Sequence, residues 1–150
     1  MRHYKNIFFL LITLSLPTRA ELNIESLQGV WSKYCDEDGY GYSAIKHSNK
    51  NELLIIISSG QVHINSIAKK LDTSSYELYF TSTNDLGPGG MRYEWSNVST
   101  TKPIAVIYNL TPASYSMKWF GVADNDGGRI KLSTEFTSNN SLNKCELLDL

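Results

Sequence analysis

The sequence predicts an all-β protein, a small antiparallel up-and-down β-barrel or closed sandwich of about 8–9 strands. Three observations carry this. Apolar residues recur mostly with a period of two, turn-forming clusters interrupt them every eight to fifteen residues, and no stretch shows a convincing amphipathic helical period. Strands in such numbers, joined by short turns, satisfy their backbone groups most simply by closing on themselves, which also removes exposed edges.

Residues 1–20 stand apart from this pattern. Arg2, His3 and Lys5 precede an apolar run from Ile7 to Leu16, and Pro17-Thr18-Arg19-Ala20 follows. That order is the layout of a secretory signal peptide, with a run too short to cross a bilayer as a helix. The expected product is an exported (periplasmic or secreted) single barrel domain over 21–150. Removing residues 1–20 takes away Arg2, Lys5 and Arg19 and no acid. Eleven Lys+Arg then face 15 Asp+Glu, a net charge of −4. A mildly acidic chain with dispersed lysines offers no electrostatic reason to bind nucleic acid or anionic lipid. No later apolar stretch predicts stable membrane insertion.

The first strand is expected around Leu27 to Cys35, with Trp31 and Cys35 on one face. Asp36-Glu37-Asp38-Gly39 is an acidic turn, and a second strand is expected over about Tyr40 to His47. Ser48-Asn49-Lys50-Asn51 has turn chemistry. Leu53-Leu54-Ile55-Ile56-Ile57 is a β-branched run with both sides at least partly covered. After Ser58-Ser59-Gly60, Val62 and Ile64 alternate with His63 and Asn65. The apolar register then slips to Ile67 and Leu71, predicting a bulge or irregular piece around Ser66 to Lys70.

Tyr76, Leu78 and Phe80 form one face of the next strand, and the segment from Asn84 to Gly90 is a Gly/Pro-rich loop. Met91, Tyr93 and Trp95 alternate with Arg92, Glu94 and Ser96, as on a half-buried strand. Ile104 to Tyr108 and Tyr115 to Trp119 are further strands, and Asp124-Asn125-Asp126-Gly127-Gly128 is a strong turn. Ile130, Leu132 and Thr134 predict a strand, Asn139 to Asn143 a polar loop, and Cys145 to Leu148 a closing strand.

Cys35 and Cys145 are the only cysteines, and in an exported chain their simplest state is a disulfide closing a loop of 110 residues. Chain entropy assigns such a loop roughly 4–5 kcal/mol as an upper figure. Free thiols or metal ligands are the alternative, disfavoured because no Cys-x-x-Cys or Cys/His cluster exists.

At Gly29-Val30-Trp31 the chain resembles the lipocalin-like (calycin) barrels, which open with a Gly-x-Trp on their first strand. The resemblance implies that Gly29 and Trp31 form a structural plug at one barrel end. It also implies an arginine packed on the tryptophan, for which Arg129 is the candidate. The Thr-Asp-Tyr motif and C-terminal helix of that family have no counterpart here.

Catalytic chemistry has little support. Only His47 and His63 follow the leader, and no Gly-x-Ser-x-Gly elbow accompanies them. Asp124, Asp126 and Glu135 match positions 1, 3 and 12 of a calcium loop, but Gly128 and Arg129 occupy positions 5 and 6, so a solvated β-turn is the better reading. No metal site, cofactor or catalytic residue is expected. The expected function is a monomeric, non-enzymatic binding protein, favoured as a protein-binding inhibitor or immunity-type factor. A lipocalin-like carrier of a small apolar or aromatic ligand is the alternative. Binding is expected through loops, with Asn84, Asp85, Leu86 and Gly87 leading and Tyr40 and Tyr42 as exposed aromatics beside glycines.

Overall fold

The computed structural model describes residues 23–35, 43–57, 59–85, 93–130, 132, 134 and 136–146. A 3-10 turn, Ile24–Ser26, leads into β1 (Gly29–Ser32), β2 (Ala44–Asn49), β3 (Glu52–Ile57), β4 (Val62–Lys70) and β5 (Tyr76–Asp85). A second 3-10 turn, Trp95–Asn97, precedes β6 (Pro103–Tyr108), β7 (Ser114–Trp119), β8 (Val122–Ala123), β9 (Arg129–Ile130) and β10 (Asn140–Cys145). Each wall strand pairs antiparallel with its neighbours in chain order, and β10 closes the ladder on β1. The protein is therefore an eight-stranded up-and-down barrel, with β8 and β9 forming a separate two-stranded sheet. Closure is visible at Val30, which pairs with Lys46 on one side and Cys145 on the other.

Period-two patterning fills the barrel. Ile45, Ile55, Ile64, Leu78, Ile107, Met117 and Leu142 are fully buried in one core cluster with Trp31 and Tyr115. Eight strands leave an interior just wide enough for such side chains to fill. The continuous apolar run of β3 is covered on both sides: Leu53, Ile55, Ile56 and Ile57 are buried, with Leu54 half-buried.

Several boundaries differ from expectation. The closing strand is Asn140–Cys145 and ends before Glu146, with 147–148 outside the described residues, so most of the polar stretch expected as a loop is wall. Its pairing with β7 and β1 decides this, because two ladders outweigh weak intrinsic strand propensity. The alternation at 91–96 makes no described strand. Trp95–Asn97 is a 3-10 turn, and Met91 and Arg92 lie outside the described residues. β5 and β6 already pair with each other, so no ladder position is left between them. Conversely, β5 continues through Asn84 and Asp85, which pair with His63 and Val62. β4 runs unbroken to Lys70. The register slip near Ser66 is real but sits opposite, where β5 carries the extra residue Thr81 between Ser82 and Phe80. β2 extends through Ser48 and Asn49, which join the strand rather than the turn. Of the strand expected over 130–135, β9 holds Ile130, Leu132 and Thr134 lie in no strand, and 131, 133 and 135 are outside the described residues.

Candidate functional site

The two ends of the barrel differ in how the chain treats them. At one end the links span only 50–51, 71–75 and 109–113, and the N-terminal 3-10 turn folds across it. At the other the links span 33–43, 58–61, 86–102 and 120–139. Alternating strand direction puts the β1–β2 and β5–β6 connections at this same long-loop end.

The short-loop end is sealed from within. Asn23 caps the 3-10 turn, its Oδ1 accepting from the Ser26 N–H, and the turn presents Ile24 and Leu27 to the core. Trp31 is fully buried, and its indole Nε1–H donates to the Leu27 carbonyl at 2.8 Å. The Ile24 N–H donates to the Tyr76 hydroxyl at 3.4 Å. Beside Trp31 lie Tyr115, with ring centroids 4.9 Å apart, and His47, at 6.0 Å. His47 Nε2 and the Tyr115 hydroxyl are 3.2 Å apart, while His47 Nδ1 is buried without a hydrogen-bond partner. Burial pushes the His47 pKa down to about 4 and raises that of Tyr115, so both are neutral near pH 7.

Gly29 has a φ of +122°, and a Cβ there would stand 3.1 Å from Lys144 Cε. That lysine crosses the glycine and places its amine 6.0 Å from the Trp31 ring centre. Arg129 lies elsewhere: its Nη1 donates to the Pro103 and Gly121 carbonyls, and the guanidinium lies 5.8 Å from the centre of the Phe120 ring. Lys144, not Arg129, is the cation packed on Trp31.

The long-loop end is an aromatic and polar platform. Trp95 stacks almost parallel to Phe80 with centroids 6.3 Å apart, Tyr93 meets Trp95 edge-on, and Trp119 packs on Phe136 at 5.7 Å. Trp95, Trp119 and Tyr93 remain half-buried, so each keeps some surface at the barrel end. The Trp95–Asn97 turn is stitched to the β8–β9 turn. The Asn125 N–H donates to the Asn97 carbonyl, Asn125 Nδ2 to Asn97 Oδ1, and the Ser99 N–H to the Ala123 carbonyl. Asp124 Oδ1 accepts from the Gly128 N–H at 2.6 Å, so this carboxylate closes its own turn. Among the described residues no group of three or more His, Cys, Asp or Glu is placed to hold a metal ion.

Cys35 and Cys145 are bonded, with Cα atoms 5.3 Å apart, clipping the chain after β1 to the end of β10. This bond is compatible with an oxidising, exported environment. Asn84 is exposed on the wall at the end of β5, next to Asp85. Leu86, Gly87, Tyr40 and Tyr42 lie outside the described residues. The Trp95–Asn97 turn and its stitches to Asn125 were not legible as a platform, because the alternation around Trp95 imitates a strand.

A further concavity of about 310 Å³ lies on the outer wall by the Thr81 bulge, lined by Glu52, Leu54, Asn65 and Ile67 among others. No protein-family model matches the chain, and neither the curated proteins nor the solved structures contain a match.

Proposed function

We propose that this is an exported, non-enzymatic interaction protein that engages a protein partner through its long-loop end, in the manner of an inhibitor or immunity-type factor. The observation that carries this reading is the filled interior. Trp31, Tyr115, Met117, Ile64 and Leu78 meet as fully buried side chains where a small-molecule carrier needs a chamber. Recognition is then left to surface, and the half-buried Tyr93, Trp95 and Trp119 supply rigid aromatic area at the end where the long links gather. His47 is enclosed by rings and out of a substrate's reach, which argues against histidine chemistry there. The disulfide suits export into an oxidising compartment.

The test is affinity capture from the proteins of that compartment. The bait is the disulfide-bonded protein or a variant in which 86–90 is replaced by Asn-Gly. The variant should keep its melting temperature and lose the captured partner. An equally stable variant that captures the same partner with equal affinity would sink the loop assignment.

A further inference from the structure

The buried pair at the sealed end does more than fill space. His47 lies on β2 opposite Gly29 of β1 and Leu53 of β3. Its ring is wedged edge-on against Trp31 and Tyr115. Among the described residues its one polar contact is the Tyr115 hydroxyl, and Nδ1 has no partner. If Nε2 donates to the phenol, Nδ1 keeps a lone pair with no donor. If the phenol donates, Nδ1 carries a hydrogen with no acceptor. Charging the ring adds a second donor in the same enclosure, where no described residue supplies an anion to receive it.

The ionisable groups around this end, among the described residues, give no relief. Tyr115 and Tyr76 are phenols, Lys144 lies above Trp31, and Glu25, Lys46, Lys50, Glu52, Asp72 and Glu146 are all exposed. Packed into the same core cluster as Trp31 and Tyr115 is a short strap, Ile24 to Leu27. It is held by the Trp31–Leu27 and Tyr76–Ile24 hydrogen bonds and by its apolar side chains, with no ladder pairing. The wall is different in kind, being closed all round and clipped by the disulfide.

We infer that His47 is an acid trigger: its protonation releases the Ile24–Leu27 strap and opens the sealed end while the eight-stranded wall stays closed. The sign follows from linkage. Burial lowers the folded-state pKa to about 4, against 6.5 for an exposed histidine. The closed form is favoured above pH 6.5 and loses that advantage as pH falls toward 4. Each pH unit well inside that window multiplies the open population by up to about tenfold. Since an exposed histidine is already half protonated at pH 6.5, going from pH 6.5 to pH 5 gives about 15-fold.

Hydrogen exchange followed by NMR on the disulfide-bonded protein, corrected for intrinsic rates, tests this. The Leu27 amide and the Trp31 indole N–H should lose about 15-fold protection between pH 6.5 and 5. The β3 and β4 amides, such as Ile55 and Ile64, should change little. His47→Gln, which keeps an amide for Tyr115 but does not titrate, should abolish the pH dependence. If that variant folds poorly, His47→Phe serves, since it preserves the ring contacts. Parallel loss of protection in strap and wall would overturn the inference, as would a pH response that survives both substitutions.

Discussion

The barrel closes its two ends by opposite means. The short-loop end is shut by residues contiguous in sequence, Asn23 to Trp31, whose larger side chains, Ile24, Leu27 and Trp31, join the apolar core. The long-loop end is roofed by pieces from 93–99 and 120–130 and by Phe136, brought together by polar stitches such as Asn97–Asn125 and by the Trp95–Phe80 stack. An apolar plug concentrates energy in few side chains, whereas a stitched roof spreads it over many weak bonds. Truncation should therefore be costly at one end and mild at the other.

The sharpest way to break this contrast is Trp31→Ala. It removes a fully buried indole and its bond to Leu27, and should cost about 3–5 kcal/mol in a denaturant titration. A loss below about 1 kcal/mol would mean that the plug does not hold that end. Next comes reduction of Cys35–Cys145, expected to cost about 2–4 kcal/mol and lower Tm. An unchanged melting curve on reduction would show the strands alone constraining the ends.

Gly29→Ala should cost about 1–3 kcal/mol, since a side chain at φ +122° is strained and would press on Lys144. Gly29→Ala with Lys144→Ala should recover only the part due to contact, so the double mutant separates backbone strain from crowding. Smallest is Asp124→Ala at the opposite end. It removes the acceptor for the Gly128 N–H and should cost about 0.5–1.5 kcal/mol, with amide exchange rising near the β8–β9 turn. A cost at Asp124 equal to that at Trp31 would erase the distinction between the ends.

The barrel was readable in the sequence because its central strands carry their own alternation: Tyr115 and Met117, or Val62 and Ile64, announce an inward face without help. β10 was not, because Asn140, Ser141 and Asn143 are turn-forming residues. They become wall only through partners from β1 and β7, far away in the chain. Trp95 misled for the converse reason, since period two describes a half-buried strand and a stitched turn equally well. Lys144 could not be recognised as the cation over Trp31, because that contact depends on the register of β10 against β1. The acid sensitivity of His47 was equally hidden, as nothing in its neighbours along the chain reveals Tyr115.

The placement of the disulfide has a mechanical corollary. The bond joins Cys35 to Cys145, so β2 through β10 lie inside the covalent ring, and of the wall strands only β1 lies outside it. Tension applied between the two ends of the chain would pass from Cys35 to Cys145 and bypass the ring. Only the strap and β1 would peel, and reducing the bond would lengthen the extensible contour by the 110 residues it short-circuits. A single-molecule pull should therefore record a short release in the oxidised protein and a full-length one after reduction.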